Sequence, residues 1–233
     1  MNAPSRDEQV VLDVRQIERR FGGLVALTGV DLAVRRGEIF GLVGPNGSGK
    51  TTMTNAITGF YPPQKGRITL AGRDITGMPP HAVARLGVAR TFQNLALFNG
   101  MTVLDNILLG RHVHMKPGVL RTALYPWLAR SDEIAHRRVV EETIDFMQLQ
   151  GVRDELVDAI PIGLKKRVEL ARALVAEPSF LILDEPMAGM NQEEKEYMAR
   201  FVLDARDERG VTVMLIEHHM DIITGICDRM LVL

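Results

Sequence analysis

The chain lacks the features that mark secreted, membrane-spanning and nucleic-acid-binding proteins. Its single cysteine, Cys227, excludes an internal disulfide framework and suits a reducing cytosol. No apolar run approaches the length of a bilayer span, and the first ten residues contain no signal-peptide core. The formal net charge of −1 provides no bulk attraction to nucleic acid. If a membrane is involved, we expect the chain to reach it through a partner.

A glycine-rich loop is the most informative feature that is present. Residues 44–51 read Gly-Pro-Asn-Gly-Ser-Gly-Lys-Thr, after the apolar run 39–43 and before a stretch with a helical pattern at 51–58. In this strand–loop–helix order, backbone N–H groups and a helix N-terminus hold a polyphosphate. We predict that Lys50 reaches the β- and γ-phosphates of a nucleotide and that the Thr51 hydroxyl ligates Mg²⁺. The predicted nucleotide-binding residues of the loop are Gly44, Pro45, Asn46, Gly47, Ser48, Gly49, Lys50, Thr51 and Thr52.

Two acidic residues follow a predicted buried strand further along the chain. The run Phe-Leu-Ile-Leu at 180–183 ends in Asp184 and Glu185. Ligands bind at the carboxyl ends of strands in α/β sheets, so both carboxylates are expected at the nucleotide. Asp184 suits Mg²⁺, mostly through water, and Glu185 suits the general base that orients an attacking water. This acidic pair is a weak signal alone and a strong one together with the phosphate loop.

The order of patterns along the 233 residues predicts one domain with an inserted sub-domain. Alternation and turn residues predict a strand-rich layer over 10–18, 24–34 and 66–70, whereas helical spacing dominates 101–150. Within that stretch, Lys-Pro-Gly at 116–118 and Tyr125-Pro126 break the helical pattern, and a second amphipathic helix is predicted at 131–150. The runs 180–183 and 212–216 predict buried strands of an α/β core. We expect one domain over 8–233, with a helical sub-domain at about 94–178. Because 231–233 reads as a strand, we also expect further sequence beyond it.

Several motifs occur in the order found in ATP-binding subunits of ABC transporters, and the chain resembles that family over nearly its whole length. The resemblance implies a P-loop NTPase fold of the ABC type: a RecA-like α/β core, an antiparallel β sub-domain and an inserted helical sub-domain. A narrower resemblance, to the subunits of high-affinity branched-chain amino acid importers, rests on Leu-Phe-x-x-Met-Thr-Val-x-x-Asn-Ile at 97–107 and Ile-Glu-His at 216–218. The family motifs are Arg-Phe-Gly-Gly with Phe21, Arg-Thr-Phe-Gln with Gln93, Asp184-Glu185, Ala-Gly-Met-Asn at 188–191, and His218.

The resemblance assigns a role to each of these residues. It implies that Phe21 stacks on adenine and that His218 lies near the γ-phosphate. It implies that Gln93 senses Mg²⁺ and water and contacts the membrane subunit. Taken singly, Phe21 fits a core aromatic, Gln93 a surface or cap residue and His218 a solvated side chain. The expected cofactors are ATP and Mg²⁺, with catalytic residues Glu185, His218, Gln93 and Lys50 and metal residues Thr51, Gln93 and Asp184.

The signature motif departs from the family pattern. Most members carry Leu-Ser-Gly-Gly-Gln before a helix that faces the γ-phosphate held by the other subunit, whereas residues 160–164 read Ile-Pro-Ile-Gly-Leu before a predicted helix at 165–174. Gly163 is retained and is predicted to contact nucleotide. Pro161 has neither a hydroxyl nor an N–H, and Ile162 places a branched side chain where glycine allows close approach. We hypothesise that this helix serves the partner's site weakly, while the chain's own ATP is hydrolysed when the partner provides a better signature.

The resemblance also implies partners and a location. These are a second ABC ATPase subunit, identical or related, integral membrane permease subunits and, indirectly, a solute-binding protein, with no nucleic acid. The expected location is the cytoplasmic face of the cell membrane, and the expected activity is ATP hydrolysis that energises uptake of a small solute, of which branched-chain or related amino acids fit best. Two alternatives stay open: a soluble ABC-type ATPase not coupled to transport, and a non-hydrolysing ATP clamp. The intact Glu185 argues against the clamp.

Overall fold

The computed structural model describes residues 10–92, 95–114 and 126–233, the stretch 126–133 by its backbone alone. In these residues the strands are β1 (Val10–Phe21), β2 (Leu24–Arg35), β3 (Ile39–Val43), β4 (Lys65–Leu70), β5 (Arg73–Asp74), β6 (Val88–Arg90), β7 (Phe180–Asp184), β8 (Thr212–Ile216) and β9 (Arg229–Val232). The helices are α1 (Lys50–Ile57), α2 (Pro80–Arg85), α3 (Val103–Leu109), α4 (Pro126–Phe146), α5 (Ile162–Leu174), α6 (Gln192–Arg209) and α7 (Met220–Ile226).

The chain divides into two compact units. The first contains the described part of Met1–Arg90 together with Ser179–Glu185 and Ala199–Leu233, and it holds all nine strands. The second contains the described part of Thr91–Pro178 together with Pro186–Met198. Each unit buries its own set of apolar side chains, as a domain assembled from packed layers requires.

The antiparallel sheet of the first unit has the strand order β2-β1-β4-β5. Val14 of β1 pairs with Leu32 on one side and with Ile68 on the other, and all three side chains are buried. The hairpin between β1 and β2 closes with Phe21 opposite Leu24. This sheet confirms the antiparallel layer that alternation in the sequence predicted.

A five-stranded parallel sheet forms the rest of the first unit, in the order β6-β7-β8-β3-β9. Every residue of β3, β7 and β8 is buried, which explains their unbroken apolar runs. Phe40, Ile182 and Met214 lie on one face and join Met53 and Ile57 of α1 in a single core. Since β7, β8 and β3 are neighbours, the segments that follow them emerge side by side at the carboxyl edge of the sheet.

The second unit is helical in its described part, apart from a single bridge between Thr102 and Leu156. α3 begins with a capping box, in which Thr102 Oγ1 accepts from the Asp105 N–H and Asp105 accepts from the Thr102 N–H. The buried side chain of Asn106 accepts from the Phe98 N–H at 2.8 Å and donates to the Phe98 carbonyl at 3.2 Å. α3 contacts both α4 and α5.

Two helices differ from the sequence prediction at a proline. Helical spacing placed the second long helix at 131–150, with Pro126 as a breaker, but the described part of α4 already includes Pro126. Similarly, α5 starts at Ile162 and not at 165, because Pro161 is its N-cap and the Pro161 carbonyl accepts from the Lys165 N–H at 3.0 Å.

Candidate functional site

The phosphate loop connects β3 to α1 and is held by bonds within itself. Lys50, the first residue of α1, is buried and its Nζ donates to the carbonyl oxygens of Gly44 at 2.7 Å and Pro45 at 2.9 Å. Gly49 has a φ of 105°, and a Cβ there would lie 2.6 Å from a carbonyl oxygen of β2, so only glycine fits. Ser48 Oγ is buried without a hydrogen-bond partner among the described residues. A polyphosphate oxygen satisfies such a hydroxyl, so the loop fits this group.

Strands β7 and β8 bring two acids and a histidine to the same edge of the sheet. Asp184 ends β7 with a side chain 3% exposed. Glu185 follows with a φ of 50°, a left-handed conformation that few non-glycine residues adopt, and its N–H donates to the Ile216 carbonyl at 2.9 Å. Nε2 of His218 lies 2.7 Å from Oε1 of Glu185. A left-handed backbone of this kind persists where the surroundings enforce it, here through the hydrogen bond to the Ile216 carbonyl.

One residue at this edge was missed by the sequence prediction. Arg90, the last residue of β6, donates from one guanidinium nitrogen to Asp184 Oδ2 at 2.7 Å and from another to Asn55 Oδ1 at 2.6 Å. The Arg90 and Asp184 side chains are 6% and 3% exposed. The sequence feature that could have identified Arg90 is its place as the first residue of Arg-Thr-Phe-Gln, a motif in which only the glutamine was assigned a role.

Phe21 lies at the end of β1 in an aromatic cluster and not in the core. Its ring is 38% exposed. The Arg19 guanidinium carbon lies 4.7 Å from the ring centroid, and the Tyr61 ring stands edge-on at 5.5 Å. The exposure excludes the core-aromatic reading of Phe21. An exposed ring in the hairpin that contacts Gly49 is suited to stack on a nucleotide base.

Known proteins are similar to this chain over most of its length. A family model described as ABC transporter matches residues 27–188. BraF, a high-affinity branched-chain amino acid transport ATP-binding protein of Pseudomonas aeruginosa, is 37% identical over 223 residues, which cover 96% of this chain and 88% of that relative. LivG of Salmonella typhimurium, described in the same words, is 39% identical over 231 residues with the same coverage. Two crystal structures of ATP-binding cassettes from ABC transporters, nucleotide-free and in the ADP conformation, match with a TM-score of 0.83 at 31% and 32% identity, over 96% of this chain and 87% of theirs.

The chain belongs to the ABC transporter family. As an ABC ATPase subunit it has the predicted fold, with an α/β core, an antiparallel sheet and a helical unit. No helix among the described residues is both long and apolar enough to cross a bilayer.

The signature region predicted from the sequence, residues 160–164, lies at the N-terminus of α5. Its N-cap, Pro161, forms no side-chain cap hydrogen bond, and Ile162 is 41% exposed. A Cβ on Gly163 would collide with Oε1 of Glu194, whose Oε2 accepts from the Asn191 N–H at 2.9 Å as part of the cap of α6. A side chain at position 163 would therefore require the Glu194 side chain to move.

The glutamine loop is described only at its flanks, because Gln93 lies outside the described residues. On one flank, the Phe92 N–H donates to Glu169 Oε1 at 3.3 Å, and on the other Arg172 donates to the Ala96 carbonyl at 2.5 Å. Both acceptor and donor belong to α5, the signature helix. Burial raises the pKa of the Glu169 carboxyl, and the nearby Lys166 ammonium opposes the increase.

The metal residues proposed from the sequence do not form an all-protein cage. Among the described residues no group of three or more His, Cys, Asp and Glu side chains could hold a metal ion. Asp184 is buried at the strand edge, and Thr51 is exposed in the first turn of α1. This donor set, one carboxylate and one hydroxyl, fits Mg²⁺, which in proteins binds through few side chains together with substrate phosphates.

Proposed function

We propose that this chain is the ATP-hydrolysing subunit of an ABC importer for branched-chain or related amino acids. The proposal rests on one observation. Neighbouring strands of one unit end at the phosphate loop, Asp184, Glu185 and His218. The printed function of BraF and LivG supports the solute class, because both cover nearly all of this chain. The importer branch was also the one that the motifs at 97–107 and 216–218 resemble.

ATP is held at its phosphates and at its base. Backbone N–H groups of the loop and the N-terminus of α1 receive the phosphates, and the unpartnered Ser48 hydroxyl donates to one of their oxygens. Lys50 exchanges its bonds to the Gly44 and Pro45 carbonyls for the β- and γ-phosphates. Phe21 stacks on adenine, held by Arg19 on its ring.

Hydrolysis requires an aligned water and an acceptor for its proton. Glu185 orients the water and takes its proton as the water oxygen bonds to the γ-phosphorus and the bond to the ADP oxygen breaks. His218, 2.7 Å from the Glu185 carboxylate, fixes that carboxylate and contacts the γ-phosphate. Lys50 stabilises the charge that develops on the phosphate oxygens.

Mg²⁺ would be held by the Thr51 hydroxyl and by Asp184, with Gln93 as a further contact, and would supply charge neutralisation at the phosphates. The residues of the chain that act on the γ-phosphate are Lys50, Glu185 and His218.

The chain works in a dimer with a second ABC ATPase subunit, with two ATP molecules between them. The Gln93 segment and the helical unit contact integral membrane permease subunits, which receive solute from a solute-binding protein. The location is the cytoplasmic face of the cell membrane, reached through the permease. A partner with a fuller signature motif suits this chain, because Pro161 and Ile162 offer the opposite ATP neither hydroxyl nor close approach.

The first test is Mg-ATP turnover of the isolated chain at rising protein concentration, with Glu185→Gln as control. Turnover that rises faster than linearly, and disappears in the control, is expected if a self-dimer functions. Binding of ATP without turnover at any concentration, with or without candidate partner subunits, contradicts the enzymatic proposal.

The solute and membrane parts of the proposal have a separate test. Cells that lack this chain should lose uptake of labelled leucine, isoleucine or valine, and the wild-type chain but not Lys50→Ala should restore it. Tagged chain should co-purify with integral membrane proteins. Unchanged uptake of all three amino acids contradicts the solute class, and co-purification with ribosomes contradicts the transport role.

A further inference from the structure

Arg90 ties three elements together at the carboxyl edge of the parallel sheet. It ends β6, its guanidinium contacts Asp184 at the end of β7, and the same guanidinium contacts Asn55 on α1, the helix that follows the phosphate loop. The contacts to Asp184 and Asn55 measure 2.7 Å and 2.6 Å. Only Arg presents two N–H groups in a fixed planar fork that serves two acceptors at once.

The register of the sheet explains why Arg90 reaches this particular acid. Arg90 pairs with Ile182 in the β6–β7 ladder, and Asp184 lies two residues further along β7. Because side chains alternate along a strand, Ile182 and Asp184 share one face, the face on which α1 packs. The Arg90 side chain therefore passes Ile182 and meets Asp184 beside α1.

Burial gives this pair its importance. Both side chains are almost fully removed from solvent, at 6% and 3% exposure. A buried carboxylate whose cation is removed is left with an uncompensated charge, so the contact with Arg90 fixes the orientation in which Asp184 is available. Surface ion pairs of this unit, such as Arg15 with Asp13, have side chains that are 72% and 25% exposed and exert no such control.

The pair also stands where the chain leaves the first unit. Arg90 is followed by Thr91, the first residue of the second unit, and Asp184 precedes Glu185, the last residue before the chain enters the second unit at Pro186. The ion pair thus fixes, within the first unit, the end of the strand that leads to Gln93 and the end of the strand that leads to the 188–191 motif.

We propose that Arg90 is a positioning residue for the metal-binding carboxylate of Asp184. It holds Asp184 Oδ2 in one orientation and, through Asn55, keeps that carboxylate in register with the phosphate loop and its helix. This inference rests on the proposed function, in which Asp184 contributes to the Mg²⁺ site. It assigns a function to the arginine of Arg-Thr-Phe-Gln in addition to that of its glutamine.

The test measures ATP binding and not turnover, in a Glu185→Gln parent that retains ATP. ATP affinity is determined in EDTA and then across a Mg²⁺ titration. In Arg90→Gln the Mg²⁺ concentration for half-maximal tightening should rise about 10–100-fold, the usual effect of removing a partner that orients a metal ligand, while the affinity in EDTA stays within about threefold. Arg90→Lys should shift the Mg²⁺ midpoint by a smaller factor, because it keeps the charge and loses the fork.

Two further variants separate positioning from general stability. Asn55→Ala removes the second contact of the guanidinium and should shift the Mg²⁺ midpoint in the same direction as Arg90→Gln. Arg206→Gln removes another arginine–aspartate contact of the first unit, 2.6 Å from Asp207, and should leave the midpoint unchanged.

The outcomes distinguish the inference from the function on which it rests. If the ATP affinity of the Glu185→Gln parent does not depend on Mg²⁺, the proposed metal role of Asp184 is wrong, and the proposed role of Arg90 is wrong with it. A parent that responds, together with a folded Arg90→Gln whose midpoint stays within twofold, overturns only the inference. Equal loss of affinity in EDTA and in Mg²⁺ also overturns it, because the role is then structural. If Arg90→Gln does not fold, Arg90→Lys decides by the same criteria.

Discussion

The carboxyl edge of the parallel sheet and the N-terminus of α5 differ in how completely they are equipped. At the sheet edge the phosphate loop, Asp184, Glu185 and His218 lie at neighbouring strand ends, and several of these groups are fixed by short bonds, among them the 2.7 Å contact between His218 and Glu185. At the start of α5, a proline is the N-cap without a side-chain hydrogen bond, and an exposed isoleucine follows it. The sheet edge therefore offers hydrogen-bonding side chains, whereas the N-terminus of α5 offers mainly a helix dipole and Gly163.

The difference bears on how the work is divided in the proposed dimer. In that dimer the signature helix serves the nucleotide held by the opposite subunit, so the two regions of one chain would act on different ATP molecules. On this proposal the chain would hydrolyse its own ATP and would assist its partner's only weakly. We therefore expect a partner with a fuller signature and a dimer in which one of the two sites turns over faster.

The largest effect should come from removing the proposed general base, Glu185, at the carboxyl edge of the parallel sheet. In Glu185→Gln the amide cannot take a proton from water, so turnover should fall about 10²–10⁴-fold while ATP still binds. Phosphate release and nucleotide binding measure the two properties. In a mixed dimer in which only this chain carries the change, turnover that stays at the wild-type level would sink the assignment of a working site to this chain.

Restoring the family's signature residues at the N-terminus of α5 should produce the next largest effect. In a self-dimer of two tagged copies, one copy carries Glu185→Gln with Pro161→Ser and Ile162→Gly, so the intact site of the other copy faces the restored signature. Turnover should rise about 10²-fold over a hybrid with Glu185→Gln alone, since a lost transition-state donor costs that much. The rate of phosphate release from the isolated hybrid is the measurement.

A rearranged hybrid is the matched control for the restored signature. Here the signature changes are placed on the copy with the intact Glu185, and the other copy carries Glu185→Gln alone. The active site then faces a native signature, and no gain is expected. Equal gains in both hybrids would mean that the substitutions act within their own chain, and the proposed division of work would be wrong.

Sequence patterns predicted the strands better than the starts of the helices. The runs 180–183 and 212–216 appear as β7 and β8 to within one residue, because a strand buried on both faces has an unbroken apolar signature. Pro161 misled the prediction of the start of α5, since proline breaks a helix interior but is tolerated at a helix N-terminus.

The site was predictable wherever its chemistry is local in sequence. Gly44 to Thr51 form a contiguous motif, and Asp184 with Glu185 follow a visible strand. Arg90 was not predictable, because its contact with Asp184 joins residues 94 positions apart and depends on the register of β6 against β7. The left-handed backbone of Glu185 was likewise invisible, since nothing in the neighbouring sequence favours a positive φ.

The signature helix contains a buried ion pair whose removal should lower stability by about 2–3 kcal/mol at neutral pH. Lys166 and Glu169 are 4% and 3% exposed, 3.7 Å apart, and Lys166 Nζ has no hydrogen bond in the described chain. Lys166→Met leaves a carboxyl whose pKa burial already raises. The folded state then retains a proton that the unfolded state has lost, so stability falls as pH rises above the ordinary range of glutamate.

Denaturant unfolding between pH 5 and pH 8 measures this effect, and the deficit of Lys166→Met should be larger at pH 8. Lys165→Met is the neighbouring control, because Lys165 only donates to the Asp158 carbonyl at 3.3 Å on the surface. A deficit that is independent of pH would show that packing, and not the charge of Glu169, decides the stability of this helix.

The smallest effect should come from Phe21, the residue that we propose stacks on the adenine base. Phe21→Leu removes an exposed ring that contacts Arg19 and Tyr61 while keeping an apolar side chain. Stacking on a base is worth about 1–3 kcal/mol, so ATP affinity should fall about tenfold with kcat unchanged, because the phosphate groups are untouched. Phe21→Tyr should bind like wild type. Titrations with ATP and with inorganic triphosphate separate contacts to the adenine base from contacts to the phosphates. Only the affinity for ATP should fall. An equal loss of affinity for triphosphate would mean that Phe21 supports the structure of the phosphate loop and does not contact the base.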